Sequence, residues 1–208
     1  MQLLLIRHGN TFEPGETSRW VGARTDLPLT TEGRAQAARL GARLREAGLA
    51  PSAIVHGPML RHRQSAEELA SALGHPANTL LRDERLQEID YGTWEDRSNA
   101  EIASFVPEAV LAAWSRDGVW PAVAGWATRE ADFLATLRGV LADIAARAGE
   151  GERIALVTSG GTIRSLYRAA GFDAEGADTR ARTGSASALT RLGDDWRLDF
   201  WNRRPDDL

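Results

Sequence analysis

Apolar residues along the chain recur in two patterns. Short buried-type runs at residues 3–6, 53–56 and 154–158 are too brief for core helices and predict strands covered on both faces. Between them lie longer stretches with helical spacing. Residues 31–47 place Ala37, Leu40, Gly41 and Leu44 on one face, with Thr30 as N-cap and Gly48 as the stop. Residues 60–73 do the same with Ala66, Leu69, Ala70 and Leu73 before Gly74, and residues 128–147 with Phe133, Leu134, Leu137, Val140, Leu141 and Ile144. A third short strand is expected at 79–82. A glycine pair after residue 158 opens a helix ending near Gly171. Residues 186–192 and 196–201 flank Gly193-Asp194-Asp195 and predict a hairpin. Strands alternating with helices imply one α/β layered domain over residues 1–208, with a mostly parallel sheet.

The stretch at about 99–127 interrupts this rhythm. Its weak helical pattern, two prolines and Trp114, Trp120 and Trp126 predict a small helical cap whose tryptophans mostly fill their own core. Composition adds exclusions. With 208 residues, 43% hydrophobic and 26% charged, and a net charge of -4, the chain has no basic field of the kind that nucleic acid or an anionic membrane attracts. The 25 basic residues are all arginine, and cysteine is absent, which removes a thiol nucleophile and a zinc-thiolate site. The apolar start, residues 1–6, lacks the basic lead and length of a signal peptide, and no run approaches a membrane span. A cytoplasmic location is expected, and the pattern carries no signal for an oligomeric state.

The chemistry concentrates after the first strand, at Arg7-His8-Gly9. Open parallel sheets bind ligands beyond the carboxyl ends of their strands. There His8 offers a nitrogen nucleophile, Arg7 a fixed cation and Gly9 close backbone approach. Further blocks follow in order: Asn10-Thr11, Gly22, Asp26-Leu27-Pro28-Leu29-Thr30 and Pro58-Met59-Leu60-Arg61. Then come Leu86-Gln87-Glu88-Ile89-Asp90-Tyr91-Gly92 and Val157-Thr158-Ser159-Gly160-Gly161-Thr162-Ile163-Arg164. On these blocks, spread over nearly the whole chain, it resembles the histidine phosphatase (phosphoglycerate mutase-like) superfamily.

That resemblance implies a three-layer α/β/α fold and an activity. His8 would attack phosphorus and become a phosphohistidine. It must do so as neutral imidazole, which neighbouring arginines should favour by lowering its pKa. Arg7 and Arg61 would clamp the phosphoryl oxygens. Glu88 would protonate the leaving oxygen and then activate water, which calls for a raised pKa. Asn10, Thr11, Ser159 and Gly160 would line or bind at the same place. No metal or other cofactor is expected, and the partner is a small phosphorylated substrate or inorganic phosphate. Set against these roles, Glu88 could instead pair with Arg85, and His62 is expected at the surface.

Two positions depart from the family pattern. A second histidine generally stands where this chain has Ser159, and a serine often stands at Gly57. Losing one preorganised donor costs about 3–4 kcal/mol, or about 10²–10³ in rate. One reading is a working phosphatase in which Ser159 with water, or another residue, takes the donor's place. A second is a degenerate phosphate-binding protein. The retained Glu88 favours the first, because a binding module needs no proton shuttle. A third, mutase-type phosphoryl transfer, is disfavoured by Pro14 and Gly161, which stand where mutases place asparagines.

Overall fold

The computed structural model describes residues 1–122, 124–172 and 178–208. The elements in chain order are β1 (Gln2–Arg7), α1 (Thr31–Glu46), β2 (Ala53–His56), α2 (Leu60–Leu73), β3 (Leu80–Arg82), α3 (Asn99–Ala103) and α4 (Glu108–Asp117). They continue with α5 (Glu130–Arg147), β4 (Arg153–Thr158), α6 (Gly160–Ala169), β5 (Ala186–Leu192) and β6 (Asp195–Arg203). Thr30 caps α1 by accepting from the Gly33 N–H at 2.9 Å. Gly74 ends α2 in the left-handed region at φ 80°.

The six strands form one sheet in the order β3-β2-β4-β1-β5-β6. β1, β2, β3 and β4 run parallel, and the β5–β6 hairpin closes the β1 edge antiparallel. Central placement explains the unbroken apolar runs of β1 and β4, since both of their faces are covered. Leu3, Leu5, Ile154 and Leu156 meet Phe133, Leu137 and Val140 of α5 and Ile163 and Leu166 of α6. Leu4, Ile6, Ala155 and Val157 meet Leu40 and Leu44 of α1 and Leu69 of α2. The result is a helix–sheet–helix sandwich with two cores.

Register is what positions the site. Arg7 pairs with Thr158, and His56 with Val157. His8, Ser159 and Gly57 therefore leave three neighbouring strands at nearly the same level. Segment 86–88 is tied to this end: the Thr158 hydroxyl donates to the Leu86 carbonyl at 2.6 Å and the Thr162 hydroxyl to that of Gln87 at 2.9 Å.

The stretch at 99–127 supplies α3 and α4; Val123 lies outside the described residues. Its tryptophans do not form a separate core. Trp114, Trp120 and Trp126 join Trp20, Tyr91 and fully buried Trp94 in edge-to-face contacts at centroid separations of 4.9–6.5 Å, a geometry that the ring quadrupole favours. They pack into the same cluster as α5 and α6.

Leu156, fully buried on β4 between β1 and β2, offers the test of this core. Leu156→Ala is expected to cost about 2–5 kcal/mol in a urea titration. Leu81→Ala, at a side chain 56% exposed, should stay within about 0.5 kcal/mol of wild type.

Candidate active site

His8 follows β1 and is almost fully buried. Its Nδ1 lies 2.7 Å from the Gly9 carbonyl oxygen. A carbonyl only accepts, so Nδ1 carries the proton and neutral His8 presents a bare lone pair at Nε2. Burial holds its pKa well below the ordinary histidine value, with Arg61 and then Arg7 adding to the effect and the Gly9 bond opposing it. The arginines were the expected cause; desolvation is the larger one.

Arg7 donates from Nη1 to the Ala181 carbonyl at 2.6 Å, and its buried Nε has no protein partner. Arg61, in the first turn of α2, is fully buried. Nη1 donates to the Thr25 carbonyl at 2.9 Å, Nη2 to those of Val21 and Gly22 at 3.3 Å, and Nε to Ser159 Oγ at 3.2 Å. The Val21–Thr25 loop is itself held by Glu95, which accepts from the Gly22 and Arg24 N–H groups and from the Thr25 hydroxyl. Arg61 is thus fixed at a set position.

Glu88 is buried against the start of α6. Its Oε1 accepts from the Ile89 N–H at 2.8 Å and its Oε2 from the Gly161 N–H at 3.0 Å, while the Thr162 hydroxyl, whose proton goes to the Gln87 carbonyl, lies 3.3 Å from Oε1. Burial raises its pKa against the opposing pull of these backbone bonds and both arginines. Arg85 pairs with Asp83 and Asp143, leaving Glu88 to the site. Gly161 permits this approach, since a Cβ there would sit 2.5 Å from both Glu88 Oε1 and the Tyr91 hydroxyl.

One cleft of about 960 Å³ joins these groups. It is lined by Arg7, His8, Asn10, Thr11, Glu88 and Gly160 among the expected residues. Asn10 is oriented from two sides, its N–H donating to Gln36 at 3.0 Å and its side-chain oxygen accepting from Thr183. Arg61 and Ser159 lie behind this lining. Also on the wall are Tyr91, Trp114 and Arg164, which sequence reasoning did not assign to the site. Arg164 stands in the last quoted motif block, which was the available signal. Its guanidinium sits 4.8 Å over the Trp114 ring and donates to the Trp114 and Ser115 carbonyls.

The expectation for His62 is overturned. Its side chain is fully buried, its ring centroid is 5.7 Å from that of His8, and its Nε2 is 2.6 Å from Ser159 Oγ. It turns inward because α2 buries a polar strip at this end, with Gln64 accepting from the Leu29 N–H and Ser65 from that of Gly9. His56 and His75 are engaged elsewhere, with the carbonyls of Gly57 and Pro51. Among the described residues no three His, Asp or Glu side chains group so as to hold a metal ion, and no helix is long and apolar enough to cross a membrane.

Residues 3–204 match the family model described as histidine phosphatase superfamily (branch 1). The glucosyl-3-phosphoglycerate phosphatase of Mycobacterium tuberculosis is 31% identical over 97% of this chain and 94% of its own length. A probable phosphoglycerate mutase of Klebsiella pneumoniae is 36% identical, over only 47% of this chain and 42% of its own. The mycobacterial phosphatase has been solved with VO3 (TM-score 0.79, 28% identity, 97% of this chain and 98% of that one) and with inorganic phosphate (TM-score 0.77, 27% identity, 98% of each chain). The chain belongs to the histidine phosphatase superfamily, branch 1.

Proposed function

We propose that this protein is a metal-independent phosphatase that hydrolyses a small phosphomonoester through a phosphohistidine at His8 Nε2. The observation that carries this reading is the His8–Gly9 hydrogen bond, which leaves Nε2 as the free lone pair of a buried, neutral imidazole facing the cleft. Full-length similarity to a phosphatase of the same family supports the reaction class.

In the first step Nε2 forms a bond to phosphorus as the bond to the leaving oxygen breaks. Protonated Glu88 delivers its proton to that oxygen and the alcohol departs. In the second step the Glu88 carboxylate takes a proton from water, whose oxygen attacks phosphorus as the P–N bond breaks. Phosphate and the starting enzyme result. Arg7 lines the cleft and meets the phosphoryl oxygens, while Arg61 contributes its charge from behind. The cleft is of a size for a small organic phosphate, and glucosyl-3-phosphoglycerate, named for the mycobacterial relative, is the first compound to assay. The mutase reading is favoured by no feature of the cleft, where Pro14 and Gly161 stand.

Wild-type protein should hydrolyse an aryl phosphate in the presence of a chelator and, after acid-free quenching, show an acid-labile phosphoprotein. His8→Ala should remove both, with a rate loss of at least about 10³. Formation of phosphoglycerate isomers would instead point to transfer.

The pH profile follows from the two shifted groups. The folded His8 is depressed below about 6.5, so its neutral form persists below the usual range and the acid limb of kcat/KM should lie under pH 6.5. Glu88 is raised above about 4.5, and loss of its proton sets the alkaline limb above that value. Glu88→Gln should abolish the alkaline limb while lowering the rate by about 10²–10⁴. Gly161→Ala should displace Glu88 and mimic that loss, without the stability cost of a core cavity.

A further inference from the structure

We propose that His62 replaces, through Ser159, the imidazole missing from the end of β4: it is a positioning residue that turns the Ser159 hydroxyl proton toward the phosphoryl group. The inference rests on the phosphatase reading above.

Ser159 occupies the N-cap position of α6, yet its side chain makes no capping bond. A serine there ordinarily accepts from the first turn of the helix. Here the oxygen is diverted to two other groups, Arg61 Nε at 3.2 Å and His62 Nε2 at 2.6 Å. Arg61 can only donate. His62 can donate or accept, and its other nitrogen decides which. Nδ1 is buried without a partner. If it carried the proton, a buried N–H would have no acceptor; if bare, only a lone pair goes unused, the less costly and more often observed shortfall. His62 is therefore the Nε2–H tautomer, assigned from its partners. Burial beside Arg61, His8 and His56 keeps it neutral.

The consequence for Ser159 is one of counting. A hydroxyl has two lone pairs and one proton. Arg61 and His62 take the lone pairs, so the proton remains for a third partner. Ser159 lies just behind the cleft lining, between Thr158, whose carbonyl accepts from the His8 N–H, and Gly160, which stands on the wall of the cleft, so a phosphoryl group seated against Gly160 is the partner this proton would meet. Two donors bound to the same oxygen also polarise its O–H bond and strengthen its donation.

Gly57 makes the arrangement possible. A Cβ at that position would collide with His62 Nδ1 and approach the Leu86 carbonyl to 2.5 Å. The two departures noted in the sequence, Gly57 and Ser159, are thus the two places that make room for one inserted imidazole, His62.

Two measurements test this. In long-range ¹H–¹⁵N NMR spectra His62 should show a protonated Nε2 and a bare Nδ1. A protonated Nδ1 overturns the proposal, because Ser159 would then be giving its proton to His62. Orthovanadate titration reads the phosphoryl site without turnover. His62→Ala and Ser159→Ala should each weaken vanadate binding about 10- to 100-fold. The double variant should be no worse than the weaker single by more than about 2-fold. His62→Gln, which keeps a neutral donor and fills the space, should bind within about 3-fold of wild type even if His62→Ala folds poorly. Wild-type affinity in His62→Ala, multiplicative losses in the double variant, or no rescue by glutamine each overturn the proposal. Absence of a phosphohistidine with this vanadate pattern intact would count against the phosphatase reading alone.

Discussion

An imidazole held neutral among cations, with one nitrogen already committed, is the constraint on which this molecule is organised. In the proposed reaction His8 has to stay unprotonated beside an anionic substrate, which its burial favours, and it has to spend Nδ1–H on Gly9 so that Nε2 is left for phosphorus. Both requirements reach back into the fold. Water exclusion needs His8 at the buried end of a central strand, covered by the α1–α2 layer and by segment 86–91. The tautomer needs the chain to turn at Gly9 immediately after β1. A sheet with its switch point between β1 and β4 supplies such a position.

Around that nitrogen, nearly every polar group is fixed before a ligand arrives. Glu95 holds the Val21–Thr25 loop, the loop's carbonyls hold Arg61, and Arg61 donates to Ser159. Glu88 is docked on the start of α6 through Gly161. Groups arranged in this way stabilise developing charge without reorganising during the reaction, which is where electrostatic catalysis gains its magnitude. Burial does opposite things to His8 and Glu88, depressing the first and raising the second. Both shifts favour the forms that the proposed first step would consume.

Much of this was legible in the residues. The runs of β1 and β4, the capped helices and the hairpin were readable because apolar periodicity and turn chemistry are local. His8, Arg7 and Glu88 were readable because ordered motif blocks carry them. The rest depends on register and on packing between distant segments. His62 stands four residues before Ala66 and seven before Leu69, on the face that α2 buries, but a lone histidine ahead of that apolar stripe reads more readily as a surface residue than as part of a buried polar strip. Only the pairing of Arg7 with Thr158 and His56 with Val157 brings residues 8, 57, 62 and 159 together. The tryptophans of 99–127 were readable as packing residues, while their fusion with Trp20, Tyr91 and Trp94 into one cluster was not.

The central claim is that His8 Nε2 is the phosphorus-bonding atom in a site completed by Ser159 and His62. A crystal structure of the protein with orthovanadate tests it most directly. The account predicts vanadium bonded to His8 Nε2, an equatorial oxygen within hydrogen-bond distance of Ser159 Oγ, and His62 Nε2 still on the far side of that hydroxyl. Vanadium bonded to another side chain, or a Ser159 hydroxyl turned away from the vanadate, would contradict it.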